Sequence, residues 1–116
     1  MAAMTGALTT HVLDVAQGRP ARGVRIELWR DEVRIAAVVT NEDGRTDAPL
    51  VAPGSLEVGV YELRFAVGAY FANTATTADP PFLDVVPVRF GIADACADHH
   101  VPLLVTPWSY STYRGS

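Results

Sequence analysis

The sequence has no lysine and only one cysteine. All nine basic residues are arginine, thirteen residues are acidic, and the formal net charge is −4. Without lysine, Schiff-base catalysis and a phosphate-binding P-loop are excluded. Because Cys96 has no second cysteine to pair with, a secreted disulfide scaffold is excluded too. The acidic balance argues against sequence-independent binding to nucleic acid.

Long hydrophobic runs are also missing. No apolar stretch is long enough to cross a bilayer, and residues 1–8 lack the basic and apolar parts of a secretory signal. We therefore expect no membrane association and a cytoplasmic location. The chain of 116 residues is 49% hydrophobic, with a mean hydropathy of +0.16, which suffices for one core without staples. One domain over residues 1–116 is predicted, with residues 1–7 flexible.

Apolar and polar residues alternate with a period of two in several segments, as in strands that cover a core with one face. The clearest alternation occurs in residues 24–28, 61–67 and 85–92. Further strands are predicted at residues 8–15, 34–40 and 101–106. Turn-forming Gly, Pro, Asn and Asp residues separate these segments about every ten residues. The pattern predicts an all-β sandwich, with one short helix within residues 67–77, where the alternation stops.

The last predicted strand is apolar on both faces. One face carries Val101, Leu103 and Val105, and the other carries Pro102 and Leu104. Such a strand is either central between two layers or covered by another subunit. In a small sandwich the second interpretation is attractive, and we predict an oligomer built on this strand.

Three histidines are the first candidates for chemistry. Imidazole titrates near neutrality, so His11 or His100 could act as a general base. Position alone favours a second interpretation, in which each is a half-exposed strand residue without chemistry. His99 and His100 are poor joint metal ligands, because adjacent strand residues face opposite sides. The sequence also lacks the ligand spacing of a zinc site.

Two other features remain ambiguous at this level. Arg45 follows the turn at Asp43 and Gly44, where it is either a solvated hairpin residue or a fixed cationic donor to a substrate oxygen. Residues 110–116 are rich in Tyr, Ser and Arg, and are either docked on the protein or frayed, as many termini are. Neither a Gly-rich phosphate loop nor a nucleophile elbow is present.

Several motifs resemble those of the transthyretin-related 5-hydroxyisourate hydrolases. The N-terminal signature is Leu8-Thr-Thr-His-Val-Leu-Asp14, and a central turn reads Asp43-Gly-Arg45. The most specific parts are His100-Val-Pro-Leu-Leu104 and the terminal Tyr113-Arg-Gly-Ser116. In this resemblance the terminal tetrapeptide separates the hydrolases from transthyretin itself, a hormone carrier. The similarity extends over residues 8–116.

The resemblance implies a transthyretin-like (immunoglobulin-like, or prealbumin) sandwich of about eight strands in two sheets. It implies a homotetramer with active sites in a channel at the dimer–dimer interface. The implied reaction opens 5-hydroxyisourate, the product of urate oxidation in purine degradation, to 2-oxo-4-hydroxy-4-carboxy-5-ureidoimidazoline. No metal and no organic cofactor are implied.

The resemblance also implies roles for particular residues. His11, Arg45 and His100 match catalytic positions, and the substrate-binding set adds Tyr113, Arg114 and Ser116. The family usually has His and then an aromatic residue where this chain has Asp98 and His99, so no role is carried over to these two. Two other functions remain as alternatives. One is a non-catalytic carrier of small aromatic ligands on the same fold, and the other is a structural module for protein contacts.

Overall fold

The computed structural model describes residues 5–74 and 78–115, in which ten short strands and one helix are found. The strands are β1 (Leu8–Thr9), β2 (Val12–Asp14), β3 (Arg19–Pro20), β4 (Arg25–Arg30), β5 (Val33–Val39), β6 (Gly59–Ala66), β7 (Val85–Ile92), β8 (His99–His100), β9 (Leu103–Val105) and β10 (Tyr110–Thr112); the helix is α1 (Val67–Ala72). One sheet, here the antiparallel sheet, has the order β5-β4-β6-β7. The other, here the mixed sheet, has the order β10-β9-β2-β3, and β1 pairs with β8 beside it.

The β1–β8 pair continues the parallel β2–β9 pair. Leu8 lies opposite His99 and Val12 opposite Leu103, so both pairs share an offset of 91 residues. Between them, the backbone N–H of Val101 donates to the carbonyl of Thr9 at 2.9 Å. Counting each continuous pair of segments once, the ten segments form eight strands in two sheets. This confirms the predicted sandwich.

The core lies between the sheets, where the alternating residues meet. Ile26 and Leu28 of β4 and Leu63 and Phe65 of β6 are fully buried, as their period of two predicts. Burial of each such side chain is worth about 1.5–3 kcal/mol relative to leaving it exposed. The alternation therefore fixes which face of each strand covers the core.

The predicted short helix is confirmed as α1, which begins where β6 ends and buries Tyr70 and Phe71. The Tyr70 hydroxyl donates to Oδ2 of Asp14 at 2.8 Å, fastening the helix to the end of β2. Burial, followed by this carboxylate, raises the pKa of Tyr70 to about 12, so the hydroxyl keeps its proton. The remainder of the segment in which the helix was predicted includes residues 75–77, which lie outside the described residues.

The two ends of the described chain flank the segment that contains β8 and β9. The Ala7 N–H donates to Oδ1 of Asp98 at 3.0 Å, and β10 pairs antiparallel with β9. The docked alternative for the C-terminal segment is thus confirmed for residues 110–115. Residues 1–4 lie outside the described residues, and the flexibility of residues 1–7 stays a prediction. No helix in the described ranges is long and apolar enough to cross a membrane.

The doubly apolar strand is only partly covered within the chain. Val101, Leu103 and Val105 are buried in the core, and Pro102 is buried on the opposite face, whereas Leu104 remains partly exposed. The Thr112 hydroxyl donates to the Pro102 carbonyl at 2.7 Å. The docked C-terminal segment therefore accounts for part of the second face, and the prediction of a subunit over the rest is not tested by a single chain.

Candidate active site

The outer face of the mixed sheet carries both candidate catalytic histidines. Thr10 and Val12 are buried in the core, so the intervening His11 points outward and is half-buried. In the parallel partner, Val101 is buried and His100 points outward in the same way. The shared register of the two segments places the two imidazoles on one surface.

Arg45 is brought to this surface by a pinned turn. The side-chain oxygen of Asn41 accepts the backbone N–H groups of Asp43 and Arg45 at 2.9 and 3.2 Å. The Val12 N–H donates to the Gly44 carbonyl at 2.8 Å, which ties the turn to β2 beside His11. Gly44 has φ +72°, and a Cβ there would collide with the Val12 carbonyl oxygen, so only glycine fits. These contacts fix the backbone that carries Arg45.

A cavity of about 370 Å³ opens at this place, within the size range of small-ligand sites. Its lining consists of Ala7, Thr9, Arg45, Asp98 and His100. Two of the three predicted catalytic residues therefore line one cavity. The third, His11, lies close enough for the Arg45 charge and the His100 ring to interact with it electrostatically.

The electrostatics keep both imidazoles neutral near pH 7. Burial, followed by the positive charge of Arg45, lowers the pKa of His11, while the backbone and carboxylate of Asp43 oppose this shift. Burial, followed by the charges of Arg45 and then His11, lowers the pKa of His100. A neutral imidazole can accept a proton, so either ring is in the form that a general base requires.

His100 is bonded through both its ring and its backbone. Its Nδ1 lies 2.8 Å from the Thr9 hydroxyl oxygen. On the other side, the Gly115 N–H donates to the His100 carbonyl at 2.7 Å. A Cβ at position 115 would lie 2.7 Å from Cδ2 of the imidazole, so the chain approaches the ring closely because residue 115 is glycine.

The predicted substrate-binding residues of the C-terminal segment do not line the cavity within the described part of the chain. Tyr113 and Arg114 are exposed, and neither belongs to the lining of the cavity. Arg114 donates from Nη2 to the Asp98 carbonyl at 3.5 Å. Ser116 lies outside the described residues. Within this chain the segment borders the site, and a substrate role for these three residues stays a prediction.

Asp98 and His99, the two positions that depart from the resembled family, differ in their place relative to the cavity. His99 is buried, with its Nδ1 2.9 Å from the Ala97 carbonyl oxygen, which removes it from the cavity. Asp98 lines the cavity.

The contact between Thr9 and His100 is the feature of the site that the sequence did not predict. Strand alternation puts Thr9 on the same face as His11, but the bond between Thr9 and His100 depends on pairing between distant segments. In the described ranges, no three His, Cys, Asp or Glu residues are grouped to hold a metal ion.

Comparisons with known proteins agree on one family. Residues 8–115 match the sequence profile of the HIUase/Transthyretin family. The 5-hydroxyisourate hydrolase of Deinococcus radiodurans is 58% identical, over 94% of this chain and 95% of that protein. The solved structure of Klebsiella pneumoniae 5-hydroxyisourate hydrolase is 34% identical, with a TM-score of 0.82 over 96% of this chain and 94% of that one. The crystal structure of (S)-allantoin synthase is 47% identical with a TM-score of 0.90; the match covers 97% of this chain but only 44% of that one.

Proposed function

The chain belongs to the HIUase/Transthyretin family, and from this premise we propose that it hydrolyses 5-hydroxyisourate. The observation that carries the proposal is the convergence of His11, Arg45 and His100 on the outer face of the mixed sheet. Two neutral imidazoles beside a guanidinium supply a proton acceptor, a proton donor and a fixed positive charge. Hydrolysis of a cyclic amide needs these three elements.

The reaction begins with water. One imidazole takes a proton from the water as its oxygen attacks the amide carbonyl carbon, which generates a hydroxide equivalent without a metal. The lowered pKa values of His11 and His100 keep the acceptor deprotonated at neutral pH. A positioned base of this kind contributes about 10²–10⁴ in rate.

Arg45 stabilises the charge that develops on the carbonyl oxygen. A guanidinium is positively charged and presents several donors in one plane. The planar, oxygen-rich substrate can be held by the same group. Removal of one preorganised donor to an oxyanion costs about 10²–10³ in kcat.

The ring opens when the carbon–nitrogen bond breaks. The leaving nitrogen then takes the proton of the imidazolium formed in the first step, either directly or relayed through the second imidazole. Water has added across the amide bond, one N–H and one carboxylic acid have formed, the acid ionises by releasing its proton to solvent, and the enzyme returns to its starting protonation state. No oxidant, reductant or cofactor enters this balance.

We extend the proposal to the assembly. The outer face of the mixed sheet carries half-buried Leu13 and Leu104, and Trp108, Tyr110 and Tyr113 in the segment that follows β9 are exposed. Exposed apolar surface of this kind is typical of an interface. A homotetramer that places this face in a channel between dimers would cover these residues and enclose the site. The cytoplasmic location stays a prediction.

The test is a spectrophotometric assay. Urate oxidase generates 5-hydroxyisourate in place, and its ultraviolet decay is followed with and without the protein. We expect wild type to accelerate the decay, and the His11→Ala and His100→Asn variants to lose most of this acceleration. Arg89→Gln, on the antiparallel sheet, serves as a matched control for substitution at an exposed charged position.

The same preparation tests the assembly and the carrier alternative. Size-exclusion chromatography with light scattering should give about four times the chain mass of 12.4 kDa. A verified tetramer that fails to accelerate the decay would overturn the hydrolase proposal. Calorimetric titration with an aromatic ligand would then decide whether the protein is a carrier.

A further inference from the structure

One side-chain contact at the site joins residues that are 91 positions apart. The Thr9 hydroxyl oxygen and Nδ1 of His100 are separated by 2.8 Å, and both residues are half-buried. The two face each other because β1 and β8 are parallel, with Thr9 directly opposite His100. The contact is therefore a cross-strand pair on the outer face of the mixed sheet, which carries His11 and His100.

The Thr9 hydroxyl is not needed to hold the strands together. The Thr9 carbonyl already accepts the Val101 N–H at 2.9 Å within the ladder. The neighbouring Thr10 shows what a structural threonine does here: it is buried, and its hydroxyl donates to the Val101 carbonyl at 2.7 Å. The two consecutive threonines thus make different bonds, one to the backbone and one to a candidate catalytic ring.

The bond to Nδ1 limits what the imidazole can do. Rotation of the ring is opposed on the Thr9 side by loss of this hydrogen bond. On the opposite side the chain passes so close that a Cβ at Gly115 would lie 2.7 Å from Cδ2. With Nδ1 engaged, Nε2 is the ring nitrogen that can exchange a proton with water or substrate. Because a hydroxyl can donate or accept, this bond sets the orientation of the ring in either tautomer.

We propose that Thr9 is a positioning residue, whose hydrogen bond to Nδ1 fixes the ring orientation of His100 and leaves Nε2 as the nitrogen that serves the reaction. This inference rests on the proposed function. Thr9 acts through His100 and does not itself need to touch the reacting atoms. Misplacement of a reacting group by about 1 Å can cost 10²-fold in rate.

The kinetic test compares three variants. Thr9→Val keeps the shape but removes the hydroxyl, and we expect kcat to fall about tenfold to a hundredfold while KM changes by less than about threefold. Thr9→Ser should restore kcat to within about threefold of wild type, since the hydroxyl returns. Thr10→Val is the matched control. It loses a buried hydrogen bond and some stability, but its folded form should retain the wild-type kcat.

A second readout does not depend on turnover. Histidine labelled with ¹⁵N gives ring-nitrogen resonances from only three residues, which His→Asn variants can assign. Thr9→Val should move the Nδ1 resonance of His100 and change the pH dependence of that resonance. Thr10→Val should leave the Nδ1 resonance of His100 in place, and the His99 resonances should not move in either variant. An Nδ1 resonance that is unmoved in Thr9→Val would overturn the proposal, as would an unchanged kcat. If wild type showed no hydrolysis while the Nδ1 resonance moved, the proposed function would fail and the Thr9–His100 contact would stand.

Discussion

The outer faces of the two sheets use charge in opposite ways. On the antiparallel sheet, Glu62 accepts from Arg64 at 2.7 Å and from Arg89 at 3.2 Å. The Arg64 guanidinium also lies 4.1 Å from the centre of the Trp29 ring. Arginine bonding, chiefly from Arg64, lowers the pKa of Glu62. Charges on this face neutralise one another along the surface.

The mixed sheet shows the contrary arrangement. Among residues 5–74 and 78–115, no carboxylate forms an ion pair with Arg45, and its charge instead helps to lower the pKa of two nearby imidazoles. Exposed ion pairs contribute little to stability. A cation left beside neutral titratable groups in a cavity is a typical feature of a functional site. The pairing of the arginines, more than their number, therefore distinguishes the two surfaces.

The largest expected effect comes from matched arginine substitutions on the two faces. Arg45→Gln should lower kcat/KM for 5-hydroxyisourate by about 10²–10³, because a preorganised donor to the oxyanion is lost. Arg89→Gln should leave kcat/KM within about twofold of wild type, since a substitution at an exposed position away from the site is usually nearly neutral. Equal losses in the two variants would remove the distinction between the faces.

A pair of glycine substitutions should have a smaller effect. Gly115→Ala places a methyl group 2.7 Å from Cδ2 of His100, and we expect the displaced ring to lower kcat about tenfold to a hundredfold. Gly91→Ala is the control, because a Cβ at that strand position meets nothing within 4 Å. Steady-state kinetics on both variants checks this, and full activity of Gly115→Ala would show that the ring does not depend on that approach.

The pH profile tests how Arg45 acts on the histidines. Because the pKa values of His11 and His100 are lowered, the acidic limb of kcat/KM should lie below about pH 6.5, the usual value for histidine. In Arg45→Gln one cause of the shift is removed, so the limb should move toward higher pH. Measurement of kcat/KM from pH 5 to 9 checks both statements, and a limb that moves to lower pH in the variant would contradict the assignment.

The smallest effect is expected on the ionic face. Glu62→Gln breaks two arginine contacts at the surface, and we expect the free energy of unfolding at pH 7 to fall by about 1 kcal/mol or less, with kcat unchanged. The pKa of Glu62 is lowered in the folded protein, so its contribution is present above the unfolded pKa and is lost as the pH falls. Urea denaturation of wild type and variant at pH 7 and pH 3 measures this, and a difference that grows toward pH 3 would contradict the sign.

The sequence predicted local features well, because local features depend on neighbours in the chain. The period of two places Ile26, Leu28, Leu63 and Phe65 in the core and turns His11 outward without knowledge of any partner. The helix position followed from the point where the alternation stops after β6. Even the separation of His99 from His100 follows from the alternation, since adjacent strand residues face opposite sides.

Contacts between distant segments could not be obtained this way. Alternation gives the face of Thr9, but it does not say that β1 lies parallel to β8, so the Thr9–His100 bond was out of reach. The place of Arg45 beside His11 also depends on a contact between distant segments, the bond of Val12 to Gly44, and its role as a donor to substrate stays a prediction. The roles of the site residues came from resemblance, because spacing in the sequence does not reveal which side chains share a cavity.

The offset of 91 residues between the paired segments of the mixed sheet also bears on biosynthesis. The strands of the antiparallel sheet lie between residues 25 and 92, so they can pair before the later segment has been translated. The surface that carries His11 and His100 cannot form so early. His11 is translated near the start of the chain, whereas His100 and Gly115 are translated near its end. Pairing over such separations is slow in folding. Catalytic turnover would therefore be the last property that a newly made chain acquires, and its appearance would report that folding is complete.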